Sequence, residues 1–151
     1  MLREKLKTAL KEAMLAKEPR RVATLRLILA ALKDRDIALR TEESPEKDDD
    51  VLIRALLGKM IKQREESIAA YSQGGRQDLV DQEREEIDII KGYLPKQMSE
   101  GETRAACEAV IKALKADGLK DIGKVMAALK SKHAGAMDFG KASQIVKTLL
   151  S

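Results

Sequence analysis

A chain of 151 residues makes one domain or two small ones, and at that size roughly two-thirds of the unfolded surface is buried on folding, so a core needs no staples. Apolar residues make up 44% and charged residues 36%, with only Tyr71, Tyr93 and Phe139 aromatic; this helix-former composition argues against a sandwich or barrel and against a base-stacking reader of single strands. One Cys and one His exclude a disulfide framework, cysteine-based zinc and histidine-cluster metal chemistry.

No apolar run approaches the roughly 18 residues of a membrane span. The start, MLREKLKTAL, is charged and amphipathic and lacks the apolar core of a signal peptide. The expectation is a cytoplasmic protein that holds no cofactor and no metal. Net charge is +4, but it is unevenly laid out: residues 1–40 are strongly basic, 41–100 acidic and 101–151 basic again. Basic ends fit an anionic partner, or the solvated faces of helices paired across the fold.

The elements read as helices throughout. Leu2, Leu6, Leu10 and Met14 recur every four residues with Ala9 and Ala13 beside them, one apolar stripe on a helix ended by Glu18-Pro19. Val22, Leu25, Leu29 and Leu32, thickened by Ile28, predict a second helix running toward Arg40. Thr41 to Lys47 has no periodicity and reads as a loop. Asp48-Asp49-Asp50 opens a third helix, with a capping side chain and negative charge where the macrodipole favours both. Ile53, Leu57, either Met60 or Ile61, Arg64, Ile68 and Tyr71 follow, and Gly74-Gly75 stops it. A fourth helix starts near Asp78 with Val80, Ile87, Ile90 and Leu94 inward, and Pro95 ends it.

Ser99-Glu100-Gly101-Glu102 is a capping box. It opens a fifth helix to about Ala116 with Ala106, Val110 and Leu114 inward, ended by Asp117-Gly118. Asp121 caps a sixth helix holding Ile122, Val125, Met126 and Leu129. His133 to Met137 is a loop, and Asp138 caps the last helix, with Ala142, Ile145, Val146 and Leu149. No segment alternates, so no strand is predicted. The expected class is all-α, divided at the proline into 1–95 and 96–151.

Two helix starts share one form. Asp121-Ile122-Gly123-Lys124 and Asp138-Phe139-Gly140-Lys141 each set Asp, an apolar residue, Gly and Lys in order. Asp caps the amides, and Gly admits another chain close to the backbone. Lys then sits in a first turn, where the dipole disfavours a cation unless an anion binds there. Ordinary capped starts with solvated lysines are the competing reading.

Catalytic patterns are absent: no phosphate-binding glycine loop, no dinucleotide fingerprint and no nucleophile elbow. Gly135 to Gly140 is too loose for a phosphate loop. Cys107, among Ala105, Ala106 and Ala109, reads as a small core residue. His133 lies in a basic loop with Lys130 and Lys132, a surface position that could touch a phosphate. The Asp48–Asp50 run lacks the spaced ligands of a cation loop and reads as a cap. Glu83, Glu85, Glu86 and Asp88 crowd one helix, which reads as a solvated face rather than a paired-carboxylate hydrolase.

Gly74-Gly75-Arg76-Gln77-Asp78-Leu79-Val80, Glu86-Ile87-Asp88-Ile89-Ile90 and Tyr93-Leu94-Pro95-Lys96-Gln97-Met98-Ser99 together resemble the YqeY family. Thr24-Leu25-Arg26-Leu27-Ile28 and Asp121-Ile122-Gly123-Lys124-Val125-Met126 add to the resemblance, which covers essentially the whole chain. It implies an N-terminal four-helix bundle followed by a smaller three-helix bundle. The latter is similar to the tail of the GatB subunit of glutamine-dependent aspartyl/glutamyl-tRNA amidotransferase, where the tail touches tRNA and the chemistry occurs in other domains. Carbon–nitrogen ligase activity with glutamine as amido donor is a family-level implication, yet no ATP site or glutaminase triad is present, so no catalytic residue is assigned. Members often carry a basic residue where Ala136 stands, which weakens a phosphate contact at that loop.

Two functions are therefore expected as alternatives. One is a tRNA-associated accessory protein using Gly123, Lys124, Lys130, Lys132, His133, Gly140 and Lys141 at one end of the tail. The other is an interaction module whose tail docks a protein partner, such as one of the translation machinery, without RNA.

Overall fold

A computed structural model of the chain describes residues 1–42 and 48–151. Among the described residues there are seven α-helices and no strand: α1 Leu2–Leu15, α2 Pro19–Leu39, α3 Asp49–Gln73, α4 Gln77–Lys91, α5 Glu100–Leu114, α6 Ile122–His133 and α7 Phe139–Leu150. The all-α class is as expected. The loop expected over Thr41–Lys47 falls mostly on residues 43–47, outside the described residues. The chain forms two compact units, Met1–Leu94 and Pro95–Ser151, each with its own core.

In the first unit α1 packs on α2, α2 on α4, α4 on α3 and α3 on α1. Leu6, Leu25, Ile28, Ile53, Leu57 and Ile90 are completely buried between them, each stabilising the fold by about 1.5–3 kcal/mol. The α1 stripe turns inward through Leu2, Leu6, Ala9 and Ala13, leaving Met14 half exposed. Pro19 does not end α1. That helix stops at Leu15, Lys17 takes a left-handed φ of +56°, and Glu18 N–H donates back to the Ala13 carbonyl. Pro19 instead opens α2, where its missing N–H costs nothing. Gly75, at φ +72°, closes α3 in the same way, with Arg76 N–H donating to the Tyr71 carbonyl.

Charge completes this unit. Asp48 caps α3 by accepting from Asp50 N–H at 3.0 Å and Val51 N–H at 3.3 Å. Asp49 and Asp50 reach α1: Asp50 accepts from Leu2 N–H at 3.0 Å, and Arg3 forks between Asp36 of α2 and Asp49 of α3, at 2.9 and 2.7 Å. The guanidinium holds the Asp49 carboxyl below the usual carboxylate range, and Asp49 raises the Arg3 pKa in turn.

The solvated acidic face expected on α4 holds for Glu85 and Asp88, which are exposed, and is corrected for Glu83 and Glu86. Glu86 is buried and accepts from Arg64 Nε at 3.2 Å, with Arg20 also within 4.0 Å of it. Glu83 sits against the same Arg64. Burial and the neighbouring Glu86 push the Glu83 carboxyl up. The reason is spacing: Val80, Glu83, Ile87 and Ile90 fall on one side of the helix, so two of the acids face inward.

Candidate nucleic-acid interface

The second unit is built from three capped helices. Ser99 Oγ accepts from Glu102 N–H at 3.1 Å while Glu102 accepts from Ser99 N–H at 3.0 Å, the expected capping box. Thr103, Cys107 and Val110 face the core. Leu114, expected inward, is half exposed because α5 ends there: Lys115 turns left-handed at φ +53° and Ala116 N–H returns to the Ile111 carbonyl. Cys107 is fully buried with its thiol toward the Ala142 carbonyl, and burial raises its pKa.

The two Asp-x-Gly-Lys starts differ. Asp138 caps α7 as expected, accepting from Gly140 N–H at 3.0 Å and Lys141 N–H at 3.2 Å. Those amides are therefore taken, and a carboxylate already stands where a phosphate was envisaged. Asp121 does not cap α6. Its carboxylate turns back to accept from Asp117 N–H at 2.8 Å, and α6 grows out of a 3₁₀ turn over Leu119–Asp121. Neither glycine is needed for packing: a side chain at Gly123 would meet nothing within 4 Å, and one at Gly140 only Asp138, at 3.2 Å.

The expectation that all seven residues share one end is corrected by the path of the chain. Met98 N–H donates to the Ala136 carbonyl at 2.8 Å and Gln97 Nε2 to the Gly135 carbonyl at 2.6 Å. The start of α5, the end of α6 and the start of α7 are thus together, and with them lie Lys130, Lys132, His133, Gly140 and Lys141. Gly123 and Lys124 lie at the far end of α6, about 15 Å from His133 at 1.5 Å per residue. Lys112, Lys115, Lys120 and Lys147 gather at that far end, positions that motif spacing did not single out although the basic tally of the tail contained them. Ala136, where a basic residue was looked for, is buried in the α6–α7 connection.

What joins the two ends is the side of α6. Val125 and Leu129 are buried, while Gly123, Lys124, Ala127, Lys130, Ser131 and Lys132 are exposed. The residues between the lysines are short, so the ammonium groups protrude furthest. Residues 95–151 hold ten Lys and Arg against six Asp and Glu. Every ion pair within 4.0 Å among the described residues lies in the first unit. Three of the six carboxylates, Glu102, Asp121 and Asp138, are engaged by backbone amides instead. The tail's cations are left facing solvent.

Among the described residues no group of three or more His, Cys, Asp or Glu is arranged to hold a metal ion, and no helix is long and apolar enough to cross a membrane. Two shallow depressions lie in the first unit, on either side of Pro19.

Comparison with known proteins adds the lineage. A protein of Lachancea thermotolerans named Altered inheritance of mitochondria protein 41, mitochondrial, is 35% identical over 129 residues, covering 85% of this chain and 64% of its own length. Proteins of the same name from Kluyveromyces lactis and Saccharomyces cerevisiae are 39% and 37% identical over 89 residues, covering 58% and 59% of this chain and 45% and 46% of their own. The chain thus spans less than two-thirds of the length of the curated relatives it matches. Their name overturns the cytoplasmic expectation. Composition could not have decided it, because an aqueous compartment within an organelle asks for the same charged surface as the cytosol. The resemblance read from the motifs is met by a family model described as Yqey-like protein that matches residues 3–150, and the chain belongs to the YqeY family.

Proposed function

We propose that the protein is a tRNA-associated accessory protein that binds through residues 95–151 and performs no chemistry alone. The observation that carries this reading is the run of cations on the outward side of α6, unpaired in a unit where three of the six carboxylates are engaged by backbone amides. Lysine ammonium groups, not helix-end amides, make the contacts, since Asp138 already holds the amides of α7. With no aromatic platform, contact is to phosphate and ribose and reads shape rather than sequence. Kinship with glutamine-dependent amidotransferase, a carbon–nitrogen ligase, belongs to this reading through the likeness of residues 96–151 to the GatB tail, and the chain would serve such an enzyme as a tRNA-holding part.

The test is titration of labelled tRNAs by fluorescence anisotropy across a salt series. Lys124→Ala with Lys130→Ala should weaken binding by a similar factor for every tRNA and reduce the salt slope by about 1–2. Glu100→Gln, on the same unit but off the α6 face, should leave binding equal or stronger. No saturable binding near physiological salt, or an unchanged slope in the double variant, rejects the reading. A second reading, a tail that docks protein without RNA, is favoured by Leu114 and Leu119, about half exposed where α5 gives way to α6. It predicts that Leu114→Glu with Leu119→Glu abolishes partner binding while RNase has no effect on it.

A further inference from the structure

A helix that covers one side of a core is expected to be polar on the other, and α2 is not. Leu25, Ile28 and Leu32 face the core, but Ala23, Leu27, Ala30 and Ile37 occupy exposed positions, with Leu27 48% and Ile37 50% accessible. The apolar surface continues onto the end of α1, where Met14 is 50% and Leu15 84% accessible. Between the two helices lies a shallow groove lined by the apolar Met14, Pro19, Val22 and Ala23, with two cations, Lys17 and Arg26, against one acid, Glu18.

We propose that this groove and the outward face of α2 dock an amphipathic helix of another protein whose flanks carry Asp and Glu. The charge of the rim selects that occupant. Lys11, Lys17, Arg26 and Lys33 are exposed, and none has a carboxylate within 4.0 Å among the described residues. Glu12, Glu18 and Asp34 neighbour these cations in sequence without pairing with them within 4.0 Å among the described residues. Five arginines of the same unit, Arg3, Arg20, Arg35, Arg64 and Arg76, hold carboxylates. Small residues at Ala23 and Ala30 let a second helix axis come within the usual 8–10 Å, with Leu27 and Met14 as flanking knobs. From Pro19 to Ile37 the face is about 27 Å long, the length of a partner helix of about 18 residues. A concave corner at Pro19 suits a helix rather than the flat surface of a bilayer.

The test uses the full chain and a fluorescent 18-residue helical peptide with leucines at i, i+3, i+4 and i+7 and glutamates on both flanks. A control peptide carries lysines in place of the glutamates. Saturable binding of the acidic peptide is expected, at least tenfold weaker for the control and at least tenfold weaker for the variant Ala23→Arg, Leu27→Glu. Both substituted positions are exposed, so the circular dichroism spectrum should be unchanged, and tRNA binding through residues 95–151 should be unchanged as well. Equal binding of both peptides, equal binding by the variant, or no binding overturns the proposal. So does self-association of the parent in sedimentation that the variant abolishes, which would make a second copy the occupant. Binding of the parent to anionic vesicles that the variant abolishes would make it a lipid surface, and would overturn it equally.

Discussion

Replacing Arg3 by Ala removes a cation that ties three helices at once. Its guanidinium makes two hydrogen bonds to Asp49, at 2.7 and 3.0 Å, and two to Asp36, at 2.9 and 3.0 Å. Four charge-assisted bonds in a dry site would stabilise the fold by several kcal/mol. Here the Arg3 side chain is 26% exposed, Asp36 39% and Asp49 44%. Water screens each pair to the 0.2–1 kcal/mol range of surface bridges, and the fork geometry moves the network toward the top of it. The expected loss is about 1–2 kcal/mol, or about 4–8 °C in Tm per kcal/mol for a unit of this size. The sign of its pH dependence follows from Asp49, whose folded-state pKa is depressed chiefly by its hydrogen bonds to Arg3. A depressed carboxylate contributes stability above its unfolded pKa, near 4, and loses it as pH falls through the folded value. The difference between parent and Arg3→Ala should therefore be full at pH 7 and shrink below pH 4. Both tyrosines, Tyr71 and Tyr93, lie in the first unit and there is no Trp, so tyrosine emission in a urea titration reports this unit alone. A loss below about 0.3 kcal/mol at pH 7, or one as large at pH 3 as at pH 7, would refute the argument.

Lys115 holds a left-handed φ of +53° that glycine adopts without strain; Lys115→Gly should raise stability by about 0.5–1 kcal/mol by urea titration followed by circular dichroism. Glu86→Ala leaves the largely buried Arg64, among the described residues, with only Glu83 at 4.0 Å and the Met60 carbonyl, and should cost about 2–3 kcal/mol. Glu83→Gln should do the opposite: burial raises that carboxyl, so its ionised form opposes folding as pH rises past its unfolded pKa, and the neutral side chain should stabilise at pH 7 but not at pH 3. Cys107, fully buried with a raised pKa, should react with a thiol reagent far more slowly in the native state than in denaturant. Cys107→Ser should cost about 1–3 kcal/mol, since the shorter hydroxyl reaches the Ala142 carbonyl less well than the thiol does.

Helix number, order and most inward faces were legible because each helix repeats its apolar residues at the helical period and carries its own stop. Gly75 is the plainest case: a positive φ favours glycine, and glycine stands there. The stops made by Lys17 and Lys115 were not legible, because lysine in a left-handed turn is held there by returning hydrogen bonds rather than by preference. Leu114 was misplaced for the same reason. Arg3 gave no local signal, since its partners lie 33 and 46 residues away. Glu83 and Glu86 were a different matter: they stand three residues apart on the stripe of Val80, Ile87 and Ile90, and counting charges instead of angles hid them.

The paired Asp-x-Gly-Lys motif shows where local reading of a site stops. The same four residue types give a capped start at Asp138 and an uncapped one at Asp121. The difference lies in what precedes them: Gly118, at φ +77°, leads a 3₁₀ turn into α6, and the free Asp117 N–H claims the Asp121 carboxylate. Placement in space is set by still larger geometry. A five-residue connection, 134–138, joins α6 to α7, and so short a link makes the helices antiparallel. Consecutive antiparallel helices have their starts at opposite ends, whatever residues open them. A ligand that touches both Lys124 and the Lys130–Lys141 cluster must therefore lie along the side of α6 rather than cap one end of the unit. An extended polyanion meets that requirement, whereas a single free phosphate could engage only one end and would lose affinity to substitutions there alone.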